Sequence, residues 1–180
     1  MFILSSICFA QDISSDKARV GVVIHLWDFI SAKEVHEIKN EINNEINGKF
    51  NNPHYEYLSA PKLANSLENF CDKQIIVAPG LTFLTRNQLL DFAKEQKIDY
   101  IVIMRFNIGD RNVHDGISDY VLNLKVMAIE VSSNNLLYID KLSDNGSGST
   151  SVKAWIDGLP RLINKFNSQF NVEFKPVIRR

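Results

Sequence analysis

A chain of 180 residues with 45% hydrophobic side chains, among them 11 Phe, 5 Tyr and 2 Trp, holds enough apolar material for one compact domain. Its 20 Lys and Arg against 21 Asp and Glu give a formal charge of −1, which excludes the sequence-wide basic field expected of a nucleic-acid or anionic-lipid binder. Nucleic acid is therefore not an expected partner.

The first ten residues, MFILSSICFA, are apolar and uncharged and end in the small-x-small pattern Cys8-Phe9-Ala10 ahead of Gln11-Asp12. They read as the hydrophobic part and cleavage site of a secretory signal, a remnant over residues 1–10 followed by a linker over 11–18, and predict an exported, periplasmic chain. The run is too short to span a bilayer. Ser5-Ser6-Ile7 lacks the small residue that lipid attachment wants directly before the cysteine, so a lipid anchor is not expected. With Cys8 removed, Cys71 has no partner for an intramolecular disulfide and reads as a small buried hydrophobe.

From residue 19 the elements follow in order. RVGVVIHL is a short β-branched run, the mark of a central strand, and it leads into Trp27-Asp28-Phe29. Ser31 with Glu34 forms a capping box, Val35, Ile38, Ile42 and Ile46 recur at helical spacing, and Gly48 supplies a left-handed stop. HYEYLS, residues 54–59, alternates as a second strand. Pro61 then opens a helix whose apolar face is Leu63, Leu67, Phe70 and Cys71. Residues 75–80, IIVAPG, read as an edge strand or an extended segment closed by a Pro-Gly turn. Thr85 with Gln88 repeats the capping box, and Leu89, Leu90, Phe92 and Ala93 make the next apolar stripe.

DYIVIMRFN, residues 99–107, is apolar throughout its centre, as a strand buried on both faces would be. A polar loop, GDRNVHDGISD, is expected over 109–119. Residues 119–131 alternate Leu122, Leu124, Val126 and Ala128 against Asn123 and Lys125; with a turn at Ser132-Ser133-Asn134-Asn135 and a return over 136–141 this predicts a hairpin. A second loop is expected over 144–151. A long helix then carries Trp155, Ile156, Leu159, Leu162, Ile163, Phe166 and Phe170, with Pro160 expected to kink or split it. The sum is an α/β single-domain sandwich over 19–170, a mixed parallel and antiparallel sheet packed by amphipathic helices, with a basic tail over 171–180 ending in Arg179-Arg180.

This order, with RVGVVIHLWDF as first strand, KIDYIVIMRF, the hairpin VLNLKVMAIEV and NLLYIDKL, and a GSGS entry to the closing helix, resembles the TolB amino-terminal-like, CsgG-type and penicillin-binding-protein-activator group of bacterial envelope domains. The likeness covers about residues 19–170. Ser133-Asn134-Asn135 stands where that group commonly has a Thr-Gly turn, and Ile98 replaces a Gly-Ala pair before Asp99-Tyr100. The chain lacks the extra membrane-crossing hairpins of a CsgG-type pore. The resemblance implies a non-catalytic periplasmic domain that docks on other envelope proteins, with a homo-oligomer as a further possibility.

Three groups of residues are candidates for a site. Trp27, Asp28 and Phe29 stand where the first strand exits, a place where α/β folds carry function, and aromatic residues there suit a partner interface. Gly146, Ser147, Gly148 and Ser149 could cradle an anion at a helix start, but Lys153 is displaced from the position a phosphate loop requires, and N-capping with close packing explains the same residues. Asp110, His114 and Asp115, with Asp119 nearby, could ligate a divalent metal, although turn chemistry gathers the same residue types. His25 stands alone on its strand and reads as a buried, hydrogen-bonded histidine. No nucleophile triad or carboxylate pair is evident, so neither catalysis nor a cofactor is expected. The reading is an exported protein-interaction domain, with a small-ligand or metal-binding domain using 109–119 or 144–151 as the alternative.

Overall fold

The computed structural model describes residues 17–26, 32–47, 55–73, 84–115 and 117–173. Among them the elements run β1 (Ala18–Leu26), α1 (Ala32–Asn47), β2 (Tyr55–Leu58), α2 (Ala60–Lys73), α3 (Arg86–Glu95), β3 (Tyr100–His114), β4 (Ile117–Glu130), β5 (Asn135–Gly148) and α4 (Ser151–Glu173). The signal remnant, the edge strand or extended segment expected over 75–80, the Ser31 cap, the Gly48 stop and the tail beyond 173 lie outside the described residues.

The architecture is the expected α/β domain with a mixed sheet. Five strands lie in the order β2-β1-β3-β4-β5. β1 pairs in parallel with β2 and with β3, Val20 opposite Tyr100 through Leu26 opposite Phe106, and the connecting helices supply the crossovers that parallel pairs need. β3, β4 and β5 then follow as an antiparallel meander.

Alternation along the strands sorts the core into two layers. Val20, Val22, Tyr100, Val102, Met104 and Phe106 meet Ile38, Ile42 and Ile46 of α1 and Trp155, Leu159, Leu162 and Phe166 of α4 on one face. Val23, Ile101 and Ile103 meet Leu63 and Phe70 of α2 and Leu89 and Phe92 of α3 on the other. Because both faces of β1 and of the first half of β3 are covered, their sequences are almost continuously apolar. Aromatic edges fix the two layers: the Trp155 ring lies edge-on to Phe106 at 5.7 Å, and Phe70 edge-on to Phe92 at 5.6 Å. The Thr85 box forms as its spacing requires. Gln88 N–H donates to Thr85 Oγ1 at 3.3 Å, and Thr85 N–H donates to Gln88 Oε1 at 2.9 Å.

Three expectations are corrected. The stretch 109–119 is not a loop but the far end of a long hairpin: β3 continues to His114, β4 begins at Ile117, and Asp115 turns between them at φ 49°. A register shift between Ile108 and Arg111 absorbs the irregularity, and pairing resumes at Arg111 opposite Tyr120. Likewise 144–148 is strand, paired with β4 as far as Gly148 opposite Ser118, which leaves only Ser149 and Thr150 before α4. In both places ladder pairing with β4 overrides the poor strand propensity of Gly, Asn, Asp and Ser. Finally, Pro160 does not split α4, which runs from Ser151 to Glu173. The ring removes one backbone donor, and the buried flanks Trp155, Leu159, Leu162 and Ile163 hold the helix on the sheet across that gap.

Candidate functional site

Trp27, Asp28 and Phe29 lie outside the described residues; β1 ends one residue before them. The glycines proposed for an anion have a packing role. A Cβ on Gly146 would sit 2.0 Å from the Ala154 carbonyl oxygen, and one on Gly148 would sit 2.7 Å from the Ala154 nitrogen, so α4 crosses β5 backbone to backbone. Ser147 N–H donates to Asp157 Oδ2 at 3.1 Å and Ser147 Oγ donates to Asp119 Oδ1 at 2.5 Å, which puts carboxylates where an anion would sit. Ser149 is exposed at the strand-to-helix step, where Lys153 N–H donates to Thr150 Oγ1 at 3.3 Å and caps the helix.

Of the metal candidates, Asp110 falls at the β3 irregularity with its side chain outside the described set, and His114 and Asp115 are exposed at the hairpin tip. No three His, Cys, Asp or Glu side chains come together among the described residues. Cys71 is half-buried in α2; burial, with Asp72 and Glu68 adding, pushes its thiol up, so it stays protonated near neutral pH. His25 is half-buried, and burial, followed by the charges of Arg105 and Lys39, pushes its pKa down to about 4.

The outer edge of the sheet is closed along its second half. β5 is the last strand, and its outward backbone groups are taken by side chains. Lys141 N–H donates to Asp140 Oδ1 at 2.7 Å and Asn145 N–H to Asp144 Oδ1 at 2.8 Å. Lys165 Nζ donates to the Ser143 carbonyl at 2.9 Å and Arg161 Nη2 to the Asn145 carbonyl at 2.6 Å. Arg161 and Lys165 also pair with Asp157 and Asp144, at 2.9 and 2.8 Å. Arg161, the Ser147 N–H and the attraction of the guanidinium hold the Asp157 carboxyl below its usual range; for Asp144, burial pushes upward but Lys165, the Asn145 N–H and Arg161 outweigh it. Such a mantle blunts an edge that would otherwise pair with another chain.

What remains open is a sheet face, and sequence reading missed it. On the side of the sheet that α2 and α3 cover, the buried layer reaches Ile129 near the end of β4, with Met127 packed against it, and among the described residues β5 contributes nothing to that layer. Strand register lines up three rows there. Arg105 stands opposite Lys125, and Lys125 opposite Lys141; His25 of β1, opposite Arg105, begins the same row. On one side lies the polar row Asn107, Asn123, Ser143, in which Ser143 Oγ donates to Asn123 Oδ1 at 2.8 Å. On the other lies the apolar row Ile103, Met127, Ile139. Ile139 is 54% exposed, and Leu136 and Leu137 beside it, where the β4–β5 register shifts, are 43% and 40% exposed. Lys125 and Lys141 are exposed, and neither has a carboxylate within ion-pair distance among the described residues. The signal present in the sequence was the polar parity of Asn123 and Lys125; the register that brings Arg105 and Lys141 into line with them is a property of the sheet.

No protein-family model matches the chain, and no curated protein matches it in sequence. Solved structures do. The lipoprotein GNA1162 from Neisseria meningitidis is similar over 86% of this chain and 99% of its own, with 9% identity and a TM-score of 0.51, a likeness of fold. A PelC dodecamer from Paraburkholderia phytofirmans matches over 85% and 89% of the two chains at 10% identity and a TM-score of 0.48. The LpoB C-terminal domain from Salmonella enterica matches over 74% and 86% at 14% identity and a TM-score of 0.40. No helix among the described residues is long and apolar enough to cross a membrane.

Proposed function

We propose that this chain is an exported, non-catalytic protein-interaction domain of the bacterial envelope, of the TolB amino-terminal-like, CsgG-type and penicillin-binding-protein-activator kind, that docks a partner protein through the exposed part of the β4–β5 face. The observation that carries this reading is that face: exposed Leu136, Leu137 and Ile139 lie together beside exposed Lys125 and Lys141 on strands whose opposite face carries the core. Contiguous apolar exposure of this kind marks interaction sites on folded domains. The fold shared with the lipoprotein GNA1162 supports an envelope setting.

The test is affinity capture of the tagged chain from detergent-solubilised envelopes of the source bacterium, comparing the wild type with Ile139→Asp. A single envelope protein recovered in near-stoichiometric amount and lost with the substitution is the expected result. A melting-temperature panel with nucleotides and divalent metals checks the competing ligand reading, since any ligand specific for the folded state raises the midpoint. No shift is expected across that panel.

A further inference from the structure

We infer that the partner docked on the β4–β5 face is a second copy of this chain, stacked face to face about a twofold axis that runs across the strands at the level of Leu122, so that Ile117 and Asp119 of each copy lie on Lys125, Ile139 and Lys141 of the other. This deepens the docking reading and rests on it.

Alternation and register supply the first argument. Ile117, Asp119, Lys125 and Met127 share one face of β4, because side chains alternate with period two. On β5, register sets Ser147 level with Asp119, Lys141 level with Lys125 and Ile139 level with Met127. The face is therefore acidic and apolar at the hairpin end, through exposed Asp119 and Ile117, and basic and apolar at the other, through exposed Lys125, Lys141 and Ile139. At each end the charge stands two residues inside the apolar side chain, about 7 Å along the strand. Rotation about the level of Leu122 brings Asp119 onto the level of Lys125 and Lys141, and the same rotation brings Ile117 onto the level of Ile139. A surface that complements itself in this way is what an isologous interface requires.

Charge gives each end a reason to meet the other. Asp119 accepts from Ser147 Oγ, and among the described residues neither it nor Lys125 nor Lys141 takes part in an ion pair. Lys125 stands directly opposite Lys141, a destabilising pairing of like charges that a carboxylate laid over both relieves. Between the two ends the face holds Val121, Asn123, Ser143 and Asn145, all uncharged, so two copies can stack at the usual sheet separation of about 10 Å. The layer of α2 and α3 reaches only to Met127 and leaves Ile139 and both lysines exposed beside it. Edge pairing is closed to the second copy, because from Lys141 to Ser147 the outward backbone groups of β5 are already taken by Asp140, Asp144, Asp157, Arg161 and Lys165.

The experiment follows the sedimentation of the purified full chain over a range of concentrations for the wild type, for Asp119→Lys, and for Lys125→Glu with Lys141→Glu. The wild type should sediment as a dimer. Each variant should dissociate about tenfold more readily or worse, because it sets like charges against like at both ends of its own dimer. An equal mixture of the two variants should recover the dimer, since the introduced lysine then meets the introduced glutamates at one end while the native groups meet at the other. Unchanged melting and circular dichroism certify both variants as folded. In the source bacterium, a photo-crosslinking amino acid at position 139 should capture the peptide of a second copy that carries Ile117 and Asp119. A monomeric wild type, a dimer indifferent to either reversal, or variants that stay apart when mixed overturns the inference. An adduct at 139 to a different envelope protein overturns it while leaving the docking reading standing. No protein captured at 139 overturns both.

Discussion

The two faces of β4 and β5 are made by the same strands and differ in almost everything else. Toward α4 the odd-even alternation presents Leu122, Leu124, Val126, Ala128, Tyr138 and Leu142, all buried. On the opposite face the intervening residues are Asn123, Lys125, Met127, Ile139, Lys141 and Ser143; Met127 packs against the layer of α2 and α3, whereas Lys125, Ile139, Lys141 and Ser143 are exposed. Residues 20–23 of β1 and 100–104 of β3, buried on both sides, show no such split. The lesson is that in a mixed sheet the antiparallel half can leave one face to something other than the core, whereas the parallel half is committed to burial on both sides.

The sharpest way to break the contrast is to empty the closed face. Trp155→Ala removes a fully buried ring stacked edge-on against Phe106 and should cost about 3–5 kcal/mol in a denaturant melt. Ile139→Ala, on the open face, should change stability by less than about 0.5 kcal/mol. Equal losses at the two positions would mean that the open face is not open.

The cation row joins the two regimes, because His25 stands at its covered end and Lys141 at its exposed end. The folded pKa of His25, about 4, lies below the ordinary 6.5, so the neutral ring favours the folded state. That contribution is complete above pH 6.5 and is lost as pH falls from 6.5 to about 4, because the unfolded chain takes up the proton first. The shift corresponds to roughly 2–3 kcal/mol once partial solvent access to the ring is allowed for. Urea melts across that window should show the wild type losing stability relative to His25→Gln as pH falls; parallel curves would show that His25 is not displaced.

Gly146→Ala should cost about 1–3 kcal/mol by forcing α4 off β5, read as a lowered denaturant midpoint. Anion binding by this segment predicts instead a loss of ligand-induced stabilisation with little change in the ligand-free protein. The smallest effect is the most diagnostic. Lys125→Glu places an acid opposite Lys141 and beside Arg105, and should raise stability by about 0.2–1 kcal/mol in low salt while weakening partner docking. A substitution that helps the fold and harms binding identifies the row as functional; a loss of stability would mean that the row has a structural partner.

Much of this molecule was legible in its residues. The central strands, the helices on Ile38-Ile42-Ile46 and on Leu89 to Ala93, the Thr85 capping box, the β4–β5 turn and the α/β class all follow from periodicity, capping and turn chemistry, which are local. The extensions of β3 to His114 and of β5 to Gly148 were not legible, because Gly, Asn, Asp and Ser do not announce strands; their partners make them strands. Of the expected kink or split at Pro160, the split does not occur, since one lost backbone bond is small against the packed face of α4.

The candidate site shows the division most clearly. Residue identity and parity alone determine that Lys125 and Lys141 lie opposite the buried leucines of their strands, since side chains alternate with period two. That they stand opposite each other, in line with Arg105 and beside Ile139, is decided by the register of three strands far apart in sequence, and that they remain exposed is decided by where α2 and α3 end. Local chemistry fixes which way a side chain faces; only long-range pairing and layer coverage fix what it faces.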